Sequence, residues 1–164
     1  MSNKIYPIGI QNFEKIRKGG YCYIDKTAWI YQMVKTGSYY FLSRPRRFGK
    51  SLLLSTLEAY FQGKKKLFEG LAIEKLEKDW IKYPILHLDL NAEKYTTPEA
   101  LDQVLESALR GWEALYGAQD YEKTFASRFQ GIIQRACEKE GQSVVILVDE
   151  YDKPMLQLSL IHIS

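Results

Sequence analysis

Val144 to Val148, in "SVVILVDEYDKP", are five apolar residues in a row. A half-exposed strand alternates apolar and polar side chains, so an unbroken run predicts a strand covered on both faces, as in a parallel sheet. A second apolar strand is predicted at "PILHLDL", Pro84 to Leu90. Parallel strands cannot be joined by a tight turn and need a crossover, usually helical. The intervening "TTPEALDQVLESALRGWEALYG" supplies one: Thr97 caps, Pro98 sits in the first turn, and Leu101, Val104, Leu105, Ala108, Leu109, Trp112 and Leu115 form one stripe. A further helix is predicted from about Tyr121 to Lys139, with Phe125, Phe129, Ile132, Ile133 and Ala136 inward and Gly141 as its stop. The fold class that follows is α/β, a mostly parallel sheet flanked by helices.

The amino-terminal part reads as helix, strand, basic loop, helix. "DKTAWIYQMVKTG" predicts a short helix capped by Thr27 and ended by Gly37, with Ile30, Met33 and Val34 on one face. The aromatic run "YYFLS", Tyr39 to Ser43, predicts a buried strand. From Ser51, the residues Leu52, Leu53, Thr56, Leu57, Tyr60 and Phe61 recur at helical spacing until Gly63. Lys64, Lys65 and Lys66 are expected to be a solvated run after that helix.

The junction of the predicted strand and helix is "RFGKS", Arg47 to Ser51. Phosphate binding needs many N–H donors converging on few oxygens, and a tight turn into a helix amino terminus supplies them with the positive end of the helix dipole. Gly49 lets the backbone approach the phosphate, Lys50 reaches the terminal phosphates and the Ser51 hydroxyl suits Mg²⁺. Arg46, Arg47, Phe48 and Leu52 complete the candidate nucleotide-binding loop. The full pattern G-x-x-x-x-G-K-[ST] puts its first glycine where this chain has Arg44. A positive φ costs an L-residue about 1–2 kcal/mol, whereas a lysine near phosphate contributes about 4 kcal/mol at an effective dielectric constant of 20. The departure is therefore tolerable, and Pro45 pushes Arg44 toward an extended path.

The second chemical signal is Asp149–Glu150, at the carboxyl end of the apolar run, where open α/β sheets bind ligands. Asp149 is the candidate to hold Mg²⁺, and Glu150 the candidate to polarise an attacking water. The gap of roughly a hundred residues between loop and acids leaves room for two intervening βα units.

"YIDKT" (Tyr23 to Thr27), "SRPRRFGKSLL" (Ser43 to Leu53) and "VDEYDKP" (Val148 to Pro154) together resemble the AAA-ATPase-like family of bacterial P-loop NTPases. The resemblance covers about residues 4–157 and implies that Arg44 is a family variant of the loop. It implies a P-loop NTPase fold, ATP and Mg²⁺ as cofactors, Gly49, Lys50 and Ser51 as the nucleotide loop, and Asp149 and Glu150 as the metal and hydrolysis acids. ATP rather than GTP rests on the resemblance, together with the lack of an NKxD-type base-reading motif. Many relatives are longer and carry a nuclease-like domain that would contact nucleic acid. The reading therefore expects 1–157 to be the amino-terminal part of a P-loop domain, incomplete at the C-terminus. It expects 158–164, "LSLIHIS" from Leu158, to be a non-native tail, and turnover by this chain to be weak. Oligomeric state is not legible.

Charge supports a polyanionic partner. Residues 1–66 carry 13 Lys+Arg against 3 Asp+Glu, whereas residues 67–164 carry 10 against 17. A rival reading follows: a nucleotide-gated switch or nucleic-acid-binding module without useful turnover, gripping a backbone through the arginine cluster. Cys22 and Cys137 stand far apart outside any CxxC or Cys/His pattern, which argues against a disulfide framework or zinc site. With no leader-like or bilayer-length apolar run, a cytoplasmic protein without membrane contact is expected. His87 is expected to be a core or sheet-edge residue, Asp89 to lie near the sheet's carboxyl edge or cap a turn, and Trp112 to be core.

Overall fold

The computed structural model describes residues 5–42, 49–91, 95 and 97–154. The chain divides into two compact units, Met1–Lys82 and Tyr83–Ser164. Among the described residues the first unit is helical, with α1 (Phe13–Lys18), α2 (Thr27–Thr36), α3 (Lys50–Phe61), a 3-10 turn (Lys65–Phe68) and α4 (Ala72–Leu76). The second holds β1 (Ile85–Asp89), α5 (Pro98–Tyr116), α6 (Phe125–Glu140) and β2 (Val145–Asp149).

In the first unit, short helices are joined by polar clamps around an aromatic core. Asn12 caps α1 by accepting from the Lys15 N–H at 2.9 Å. Phe13 and Ile16 then point inward, and the Phe13 ring lies 4.8 Å from that of Phe68, itself 5.1 Å from Trp80. Asp25 joins two helices. Its Oδ1 accepts from the Thr27 N–H and hydroxyl at 2.8 and 2.7 Å, and its Oδ2 from the Ala72 N–H at 2.7 Å. The Thr27 hydroxyl accepts in turn from the Ile73 N–H at 3.1 Å, so "YIDKT" is the joint between α2 and α4. Burial pushes the Asp25 carboxyl up, but the bonds from Thr27 and Ala72 outweigh it and hold it below its ordinary value. Lys26 is the N-cap of α2, and Thr27 is its first helical residue.

A second clamp centres on Glu77, which is 5% exposed. The Tyr60 hydroxyl donates to its Oε2, and the Lys78 and Asp79 N–H groups donate to its Oε1 at 2.9 and 3.0 Å. Lys35 Nζ lies 3.2 Å away. Burial raises the Glu77 pKa, yet these donors hold it at about 2.

The expected strand at Tyr39 to Ser43 does not form over its described part: residues 39–42 are irregular, and Tyr39 and Phe41 are 96% and 74% exposed. A strand is stable only when paired, and the first unit offers no described strand beside it. Instead the Tyr40 hydroxyl turns back and donates to the Met33 carbonyl of the last turn of α2, capping it. Ser43 lies outside the described residues.

In the second unit β1 and β2 pair in parallel, Ile85 opposite Val145 through Asp89 opposite Asp149. Both predicted strands are present, and the helices between them pack together through a cluster of Leu86, Leu109 and Ile132 with Trp112, Phe129 and Ile133. Thr97 and Pro98 open α5 as expected, but Leu115 is 61% exposed and Tyr116 takes its place against the core. α6 starts at Phe125, four residues past the expected Tyr121, because Thr124 and Ser127 form a reciprocal capping box there. Arg128 clamps α6 to α5 through Glu113 at 2.7 Å and through Glu106.

β2 departs from the expectation of two covered faces. Leu147 is buried, but Ile146 and Val148 are 45% and 38% exposed. Ile146 shares its face with its register partner Leu86, which is fully buried under α5 and α6. The two helices therefore cover the β1 side of that face and leave the β2 side open.

Candidate nucleotide site

The loop residues belong to the first unit and the acids to the second. Gly49 is the N-cap of α3 with φ 79° and ψ 23°, a left-handed conformation that favours glycine. Among the described residues a Cβ added there meets nothing within 4 Å, and the demand is on the backbone angle. Lys50 and Ser51, both half-buried, open the helix, and its first bond runs from the Leu53 N–H to the Gly49 carbonyl at 2.9 Å. The N–H groups ahead of that bond have no acceptor within the helix and face out of its positive end.

This helix end is fixed from behind. The Phe13 N–H donates to Ser55 Oγ at 3.0 Å, and the Ser55 and Thr56 hydroxyls donate to the Leu52 carbonyl at 3.0 and 2.7 Å. The Leu52 carbonyl is thus bonded within α3, and Ser55 is the residue through which α1 holds that helix. Gly49, Lys50, Ser51 and Leu52 are brought into one turn as the spacing predicts; Arg44, Arg46, Arg47 and Phe48 lie outside the described residues.

Asp149 ends β2, beside Asp89 at the end of β1, so two carboxylates stand together at the carboxyl edge of a parallel pair. The Leu90 N–H donates to the Asp149 carbonyl at 3.1 Å, and the Glu150 N–H donates to Asp149 Oδ1 at 2.9 Å. Glu150 has φ 52°, one of two non-glycine residues with positive φ among those described. Strained backbone of this kind costs about 1–3 kcal/mol and collects at functional sites. The turn is held by a residue to which the sequence assigned no role. The Lys153 N–H donates to the Glu150 carbonyl at 3.0 Å, while its Nζ donates to the Asn91 carbonyl and Oδ1 at 2.8 and 3.1 Å. Lys153 thereby ties the acid turn to the end of β1. Asp89 accepts from the Asn91 N–H at 2.8 Å, so it caps a turn at the sheet's carboxyl edge. With His87, Gln103 and Ser107 it also lines a cleft of about 270 Å³ between β1 and α5.

Among the described residues, no group of three or more His, Cys, Asp or Glu is arranged to hold a metal. No described helix is long and apolar enough to cross a membrane.

Residues 7–162 match the family described as "Predicted AAA-ATPase". The chain belongs to this family. A relative within reach of the AAA-ATPase-like chain is the "Uncharacterized protein in vnfD 5'region" of Azotobacter chroococcum mcd 1, 42% identical over 158 residues. The match takes in 95% of this chain and 30% of the relative, so the AAA-ATPase-like chain spans about a third of that protein. No solved structure matches it.

Proposed function

We propose that this chain is the nucleotide-binding part of a P-loop ATPase that binds Mg-ATP and hydrolyses it by in-line attack of water on the γ phosphate. The observation that carries the reading is Gly49, held at positive φ as the N-cap of an anchored helix with Lys50 and Ser51 in its first turn. In this reading residues 1–157 belong to one such domain, with Arg46, Arg47 and Phe48 completing the loop.

The residues fit the roles. The amides at the start of α3 and the Lys50 ammonium stabilise charge on the terminal phosphates, in a geometry set before the ligand arrives. The Ser51 hydroxyl and, in the second unit, the Asp149 carboxylate are each an oxygen donor of the kind a hard cation takes, and such a cation would neutralise phosphate charge when bound. Glu150, fixed on its strained turn, orients and deprotonates the attacking water.

Lys50→Ala tests the reading through binding of a fluorescent ATP analogue in Mg²⁺. Loss of a charge-assisted bond of about 1.5–3 kcal/mol predicts affinity lower by about ten- to a hundredfold. Unaltered affinity in a folded variant would overturn it. Glu150→Gln is expected to keep the affinity and lose whatever hydrolysis the parent shows.

A further inference from the structure

The first unit carries a basic surface on α1 and the 3-10 turn, made of residues outside the candidate loop. Glu14 of α1 bridges two lysines: Lys18 Nζ lies 2.6 Å from its Oε1 and Lys64 Nζ 2.6 Å from its Oε2. The end of α1 is thereby set beside the start of the 3-10 turn, where Lys65 and Lys66 are exposed. Lys15, three residues before Lys18 on α1, is exposed on the same helix. Arg17 cements the two elements from within, its Nε donating to the Leu67 carbonyl at 2.7 Å and its Nη2 to the Glu69 carbonyl at 2.5 Å. Five lysines and one arginine thus lie on or beside these two elements, with Glu14 and Glu69 as their acids. The Lys18 and Lys64 bonds hold Glu14 at about 2, so it stays ionised at neutral pH and offsets only one of the ammonium groups it bridges.

We infer that this α1 and 3-10 face binds the phosphate backbone of duplex nucleic acid without reading its sequence. Lysines are compact point charges suited to phosphates and poorly suited to bidentate base recognition. The apolar side chains of both elements, Phe13, Ile16, Leu67 and Phe68, are buried. The face therefore lacks the apolar component with which an amphipathic surface enters a lipid headgroup layer. Its rigidity also suits a backbone of regular charge spacing, because α1 and the turn are locked together before binding. This inference stands apart from the nucleotide reading and does not need it.

The test is fluorescence anisotropy of a labelled random-sequence DNA duplex with the whole chain, across a salt series. Lys65→Gln with Lys66→Gln leaves the Glu14 bridge intact and is expected to fold normally. It should weaken duplex binding by about tenfold and reduce the slope of log affinity against log salt by about two. Mg-ATP affinity should be unchanged, which separates this face from the loop. The inference is overturned if the parent chain fails to bind the duplex at low salt, or if the double variant binds with the parent's affinity and slope. Lysine-dependent binding to phosphatidylserine vesicles without binding to the duplex would also contradict it.

Discussion

The two units hold themselves together by different means. The first, with 16 Lys+Arg against 7 Asp+Glu, joins short helices through polar side chains that reach backbone groups far along the chain. Asp25 meets Ala72 and Thr27 meets Ile73 in this way. The second, with 7 Lys+Arg against 13 Asp+Glu, packs long amphipathic helices on a parallel strand pair through an apolar cluster. Apolar packing between periodic elements tolerates shifts that a hydrogen-bonded clamp does not. In the unit with the candidate phosphate loop, polar bonds join the short helices to one another, whereas in the second unit the Arg128 clamp adds to an apolar cluster.

That contrast is open to direct attack. The largest effect is expected from the second unit's core: Leu86→Ala removes a fully buried side chain and should cost about 2–5 kcal/mol in urea unfolding. A loss below 1 kcal/mol would mean that the cluster does not organise the strand pair. Next comes the first unit's clamp. Glu77→Ala strands the Tyr60 hydroxyl and two backbone N–H groups, with an expected loss of about 2–3 kcal/mol.

The same clamp carries a pH signature. Because the folded-state pKa of Glu77 is depressed, to about 2 from an ordinary 4.5, its contribution is present in full above pH 4.5. It is lost as pH falls from 4.5 toward 2. Unfolding midpoints of parent and Glu77→Gln should therefore converge over that window, and a constant difference down to pH 2 would remove the assignment.

A smaller loss, about 1–2 kcal/mol, is expected for Gly49→Ala, because alanine must adopt the left-handed angle. Among the described residues no neighbour stands within 4 Å of the added methyl, so the expected loss is conformational. Smallest of all, Lys65→Gln with Lys66→Gln should leave stability within about 0.5 kcal/mol of the parent.

The contrast also explains what could be read in advance. Val144 to Val148, Pro84 to Leu90 and the helical stripes of α5 and α6 are local patterns, and the structure has strands and helices there. Tyr39 to Phe41 has the composition of a strand but no described neighbour to pair with, and pairing is not a local property. Leu115 and Tyr116 exchange places because a stripe read at ideal spacing does not say where the partner helix ends. Of the expected strand, loop and helix around Gly49 to Ser51, the helix start was legible from the spacing of Leu52, Leu53, Thr56 and Leu57 after it. The pairing of Asp89 with Asp149 was not, since register emerges only when strands pair. Nor was the role of Lys153, whose partner Asn91 lies 62 residues earlier.

The central proposal is that the first turn of α3, from Gly49 to Ser51, holds the terminal phosphates of a nucleotide. A double-mutant cycle on ATP affinity tests it, with Lys50→Ala, Ser51→Ala and the pair. Each single change should weaken binding, and the two losses should be non-additive because both side chains serve one phosphate end. Affinity unaltered by Lys50→Ala and by Ser51→Ala in folded variants would contradict the account.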